Sequence, residues 1–140
     1  DFPVEVLYLG PAHSTGDISV WLPNQELVIA GDIAFHERML PIFEDTNTLE
    51  WINTWKNKFE KLNANFVIPG HGHPTNMQQV KRYTHDYLVY LRAKISEHLD
   101  NGGDLKDAYY VDQTPYMRLD TFEELATRNA GRIYQEMEFE

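Results

Sequence analysis

The sequence contains no cysteine. That absence excludes a disulfide scaffold, a thiolate zinc knuckle and a cysteine nucleophile. A metal site would have to be built from His, Asp or Glu. The compartment stays open, because a cysteine-free chain folds in either redox environment. Long apolar runs are also lacking: no window approaches the roughly 18–20 consecutive apolar residues of a membrane-spanning helix. Positive charge is scarce, with 12 Lys and Arg against 22 Asp and Glu and a formal charge of −10. Nucleic acid is therefore not an expected partner, since a basic footprint supplies most of the affinity for a phosphate backbone. A small anionic substrate is still compatible, because a bound cation reverses the local field. The start, Asp1-Phe2-Pro3, has neither Met nor a basic n-region. It shows no signal peptide and reads as an internal position of a longer chain.

What is present is globular. A hydrophobic share of 42% over 140 residues suffices for one domain with a core. Three apolar runs in the first third read as strands: Val4 to Leu9, Ile18 to Leu22 and Glu26 to Ala30. Pro23-Asn24-Gln25 fits a hairpin connection between the last two. The runs are nearly continuous rather than alternating, which predicts strands covered on both faces. Thr48 opens a helix with Leu49, Ile52, Trp55, Phe59 and Leu62 close to a 3.6 period. Phe66 to Pro69 is a short buried strand that runs into Gly70-His71-Gly72-His73-Pro74. Thr75 and Gln78 form a capping box for one long helix carrying Met77 to Leu99, which stops at Asn101-Gly102-Gly103. A short helical stretch follows over 104–110. A last helix opens at Asp120/Thr121, with Glu124 as its capping partner. The order β-β-β-α-β-α-α is an α/β layer arrangement with helices packed on a sheet.

Polar chemistry concentrates just after strands, where α/β folds place their sites. The three loops are Pro11 to Asp17, Gly31-Asp32 with Phe35-His36-Glu37 behind it, and Pro69 to His73. Taken singly each reads as turn chemistry: a surface histidine, an Asp bonding its own backbone, a glycine-rich turn. Their conjunction reads differently. Adjacent strands would bring His13, Asp32 and His71 to one rim of a sheet. Two imidazoles and a carboxylate suit zinc, iron or manganese.

These motifs resemble those of the metallo-β-lactamase fold hydrolases. The resemblance rests on His-Ser-Thr-Gly-Asp (13–17), Gly-Asp (31–32) and Pro-Gly-His-Gly (69–72), in the family's order and with similar intervals. It rests more weakly on the closing run 129–136. Ser14 stands where the family usually has Thr. The resemblance implies that His13 is the third imidazole on a first metal, that Asp32 bridges two metals, and that His71 binds the second. Two zinc ions in the full-length protein are implied, with a metal-held hydroxide attacking a carbonyl or phosphoryl centre of a small-molecule substrate. The family's principal motif, His-x-His-x-Asp-His, is absent; the only His-x-His is His71-x-His73. Residues 1–140 are accordingly expected to be the C-terminal half of an αββα sandwich. The N-terminal half that carries the missing ligands would be its natural partner, the site incomplete here and the fragment alone inactive. The rival reading is a non-catalytic half-fold, acting as a binding or dimerisation module through the apolar sheet face that a half-sandwich exposes.

Smaller candidates are weighed beside these. His73 is either a hydrogen-bonding partner of a ligand or, preferably, a turn residue capping the next helix. His36 and Glu37 fall where the family's loop lines the substrate pocket. Asp17 either holds its loop in shape or is plain polarity before a strand. His85 and His98 are expected to be solvated, and Trp51, Trp55 and Phe59 to be core.

Overall fold

The strand formers and the turn residues that punctuate them give four strands in the computed structural model, which describes residues 1–140: β1 (Glu5–Leu7), β2 (Ser19–Leu22), β3 (Leu27–Phe35) and β4 (Phe66–His71). They form one sheet in the order β1-β2-β3-β4. The first two pairings are antiparallel and β3–β4 is parallel. The expected β2–β3 hairpin connection is a 3-10 turn, Pro23–Gln25, which exits through Glu26 at φ 50. Parallel strands need a crossover, and it carries α1 (Thr48–Thr54), followed by a π-helical turn (Trp55–Phe59) and a 3-10 turn (Glu60–Leu62). After β4 come α2 (Met77–Tyr83), α3 (His85–Asp100), α4 (Leu105–Ala108) and α5 (Phe122–Met137).

The sheet is covered on one face only, which corrects the expectation drawn from the continuous apolar runs. Val28, Ala30 and Val67 are fully buried in a core with Trp51, Trp55, Phe59, Leu88, Leu91 and Ile133. Successive side chains alternate across a strand, and the other face is open. Val6, Val20, Ile29 and Ile68 stand in register as one row across all four strands. Val6 is 67% exposed and Ile29 41%. Leu22, Leu27 and Phe66 form a second row. The runs read as continuous because both faces are apolar, and periodicity does not say which of them is covered.

Several boundaries also move. β3 continues through Gly31-Asp32 to Phe35, and β4 continues to His71, so Asp32 and His71 lie on strands rather than in loops. The pairing is irregular between Ile29 and Gly31 and again between Gly31 and Phe35. The cap of α2 is Asn76, whose side chain accepts from the Gln79 N–H; Thr75 instead bridges to Val67. Thr121 sits at φ 65 and makes no side-chain cap bond. The long helix expected from Met77 to Leu99 is broken at Thr84. The Thr84 hydroxyl accepts from the Phe35 N–H at 2.9 Å and donates to the Phe35 carbonyl at 3.1 Å. A buried strand end must have its polar groups paired, and the helix break places Thr84 to do it. His85, expected in solvent, is largely covered, with Nδ1 on Asp86 and Nε2 buried without a partner.

Candidate active site at the ends of β3 and β4

Parallel pairing of β3 and β4 delivers Asp32 and His71 to the same end of the sheet. Asp32 Oδ1 lies 3.5 Å from His71 Nε2. Two donors on one tetrahedral zinc, with bonds near 2.0–2.1 Å, stand about 3.3 Å apart. The observed pair is close to that spacing. Gly70 makes it accessible: a Cβ there would fall on the Asp32 carboxylate and on the Gly31 backbone. Gly72, at φ +93, lets the chain pass the His36 carbonyl, where a Cβ would overlap.

His13 arrives from the β1–β2 loop. Its carbonyl accepts from the Thr46 hydroxyl at 2.9 Å. Asp17 holds the loop in shape by accepting from the Ser14 backbone N–H and the Ser14 hydroxyl, which favours the first of the two roles considered for it. The His13 ring is walled by Phe35, Phe43 and Trp51, at centroid distances of 5.9, 5.0 and 5.6 Å. Nδ1 is buried there without a partner, which leaves Nε2 as the open nitrogen. Phe35 also stacks on His71, at 5.0 Å and 20°. One phenyl ring therefore touches both imidazoles. The Trp51 indole N–H donates to the Ile33 carbonyl at 3.1 Å and ties α1 to β3 beneath the site. His13, Asp32 and His71 do not close into a cluster of three metal-holding groups within this chain.

His36 and His73 sit one step further out and share Glu37. His73 Nδ1 is 3.0 Å from Glu37 Oε1, and the His73 backbone N–H donates to the same oxygen. These bonds lower the Glu37 pKa from its ordinary value, the backbone bond most. His36 Nδ1 reaches the His73 carbonyl at 3.0 Å. His73 therefore pins the β4 loop to the segment after β3 and does not cap α2, as preferred from sequence. Its side chain is 85% exposed and makes no hydrogen bond to His71 or Asp32.

Sequence reasoning missed Arg38. Its Nη1 lies 3.2 Å from His71 Nδ1, and its Nε is buried without a partner. The signal was there: Arg38 is the one cation between Glu37 and Asp45 in a stretch that otherwise carries acid. It also missed the device that holds this segment. Asp120 pairs with it on both sides, through Met39 N–H to Asp120 O and Asp120 N–H to Glu37 O, both at 2.9 Å. Asn129 on α5 then accepts from the Ile42 N–H at 2.9 Å and donates to the Leu40 carbonyl at 2.8 Å.

No family model matches the chain. Among curated proteins, the metallo-β-lactamase type 2 of Bacteroides fragilis is 33% identical over 73 residues, 50% of this chain and 29% of that protein. The enzyme of the same description from Bacillus cereus is 32% identical over 72 residues, 49% of this chain and 28% of that protein. The matched stretch is thus under a third of those relatives. Among solved structures, DIM-1 metallo-β-lactamase superposes with a TM-score of 0.55 at 22% identity, over 62% of this chain and 42% of that one. The stereoselective inverting sec-alkylsulfatase Pisa1 from Pseudomonas sp. superposes with a TM-score of 0.73 at 17% identity, over 96% of this chain and 24% of that one. The identities are low enough that the superpositions speak for fold alone. Sheet, helices and sequence similarity agree: this chain carries part of a metallo-β-lactamase-like fold and is related to that superfamily.

Proposed function

We propose that this chain supplies part of the metal centre of a metallo-β-lactamase-type hydrolase, with the rest of that centre on a longer parent protein. The carrying observation is the Asp32–His71 pair, a carboxylate and an imidazole held 3.5 Å apart at the ends of parallel strands. In this reading Asp32 would be a carboxylate ligand, and His71 and His13 would each offer Nε2 to a metal ion. Zinc fits the donor set, and iron or manganese suit it as well. Zinc at such a site lowers the pKa of water to about 7 and so makes a nucleophile available at neutral pH. The chain's own residues bind and orient. Phe35 fixes the two imidazole planes, Thr46 and Asp17 hold the His13 loop, and Gly70 keeps the Asp32 carboxylate clear of β4. A catalytic zinc takes three protein ligands, and three donors divided between two ions leave each short. The fragment alone is therefore inactive. The substrate is a small molecule with an ester, thioester, lactam or related bond. The similar proteins include a β-lactamase and an alkylsulfatase, and a fold does not choose between such bonds.

The test is metal analysis of the parent protein with Asp32→Ala and His71→Ala beside it. Bound zinc or iron that falls in both variants together with hydrolysis supports the reading. A metal-free parent, or unchanged activity in Asp32→Ala, would sink it.

One observation favours a second role, as a binding half. The open sheet face carries Val6, Ile29 and Phe66 at 67, 41 and 59% exposure. An apolar patch spanning four strands calls for a cover. We take that cover to be the second sheet of the sandwich, on the parent's remaining length. The same face offers a homodimer as the alternative occupant. Sedimentation of the 140-residue chain at several concentrations separates them: a dimer abolished by Val6→Lys favours self-association, and a monomer that binds the remainder of the parent favours the sandwich.

A further inference from the structure

We propose that Arg38 is a positioning residue that selects the tautomer of His71 and thereby competes with a metal ion for it. The inference rests on the metal-site reading above and adds a residue that this reading does not contain. A guanidinium is donor-only. Its Nη1 stands 3.2 Å from His71 Nδ1, so Nδ1 accepts and the ring proton belongs on Nε2. Nε2 itself lies 3.5 Å from Asp32 Oδ1. Arg38 and Asp32 thus stand at opposite nitrogens of the His71 ring, an arrangement that is self-consistent without a metal.

A metal takes a lone pair. For Nε2 to ligate, the ring proton must move to Nδ1, and there it would meet an Arg38 N–H with nothing to accept it. Metal-ligating imidazoles ordinarily donate their other N–H to a carboxylate, a backbone carbonyl or water. Arg38 offers the opposite polarity. It also places a fixed positive charge beside an incoming divalent cation. Loading His71 therefore requires the guanidinium to withdraw.

Arg38 is poised for such a role. Its backbone is bracketed by the two hydrogen bonds to Asp120, so its reach is set by a fastened segment. Its Nε is buried and unpartnered, so the contact with His71 leaves the guanidinium incompletely satisfied where it now lies. Leaving a buried donor unpaired is unfavourable. A second resting place that pairs it would offset the loss of the His71 contact.

The experiment uses the 140-residue chain with histidine rings labelled by nitrogen-15, and zinc as the probe. Long-range proton–nitrogen correlations report the tautomer of His71, and a zinc titration followed at the His71 ring reports affinity. The metal-free wild type should show His71 with its proton on Nε2. Arg38→Gln supplies an amide oxygen that accepts from Nδ1–H, so the other tautomer should appear and zinc should bind about tenfold more tightly, equivalent to about 1.4 kcal/mol. Arg38→Lys keeps a donor-only cation and should stay near wild type; it serves also if the Gln variant folds poorly. Adding His71→Ala to Arg38→Gln should erase the gain. The proton found on Nδ1 in the wild type overturns the proposal. So does a zinc affinity in Arg38→Gln that is unchanged or weaker relative to a zinc-binding wild type, or a gain that survives His71→Ala. The two readings fail separately. Zinc ignored by every variant despite the tautomer shift removes the metal role, whereas a tautomer indifferent to residue 38 removes the role of Arg38.

Discussion

Asn129→Ala tests how α5 holds the candidate site. Asn129 is fully buried, and its amide completes three hydrogen bonds: from Ile42 N–H, to the Leu40 carbonyl, and to the Tyr87 hydroxyl at 3.1 Å. Alanine removes all three. Leu40 and Ile42 are themselves buried, so a backbone N–H and a carbonyl lose their partners away from water. Each such group costs about 1–3 kcal/mol, and a loss of about 3–4 kcal/mol is expected. With a urea slope of about 2 kcal/mol/M for a domain of this size, the midpoint should fall by about 1.5–2 M. Asn129→Leu separates this account from one based on packing. Leucine has the same number and branching of side-chain heavy atoms but can neither donate nor accept, so it should cost at least as much as alanine. Exchange of the Ile42 amide should accelerate in both variants, because that is the group left unpaired. A midpoint shift under about 0.5 M in Asn129→Ala, or a neutral Asn129→Leu, would refute the reasoning.

Gly72→Ala should be far worse than its small size suggests. The residue sits at φ +93 and its Cβ would overlap the His36 carbonyl, so the His71–His73 loop must move. We expect loss of the Glu37–His73 pairing, read from the ring resonances of His73. Tyr87 gives a pH prediction. Burial raises its pKa far above the ordinary 10.0, so the folded state keeps the proton that the unfolded chain releases. Its contribution is fully present below pH 10 and is lost as pH rises beyond it, with a slope of at most about 1.4 kcal/mol per pH unit. Urea midpoints measured from pH 9 to 11 should fall more steeply in the wild type than in Tyr87→Phe; parallel curves would count against it. Val6→Lys, on the open face of the sheet, should change the stability of the chain by no more than about 0.5 kcal/mol. A larger loss would mean that the face is packed within this chain.

Which residues are candidates for chemistry was legible from the sequence, because the chain punctuates its strands with Gly, Pro, Asp and His at spacings that need no tertiary knowledge. His13, Asp32 and His71 could be picked out as candidates in this way, and the strand and helix types followed from apolar period. The core aromatics Trp51, Trp55 and Phe59 could be read as well, and all three are fully buried. Boundaries were less legible. Thr84 breaks a helix whose local sequence supports continuation, because its hydroxyl is needed by the end of a strand 49 residues away in the chain.

Composition and local pattern thus establish the groups available for chemistry: no thiolate, few cations, strands with apolar residues on both faces, and a short list of His and Asp donors. Three-dimensional packing decided which donors meet. The parallel pairing of β3 with β4 sets Asp32 against His71 and leaves His13 to be reached through the shared ring of Phe35. It also decided which sheet face the helices cover, and that Arg38 rather than His73 contacts the candidate ligand. These are contacts between segments distant in the chain. Local propensity and period act over a few residues and carry no information about such pairings, which emerge only when the whole core is packed at once.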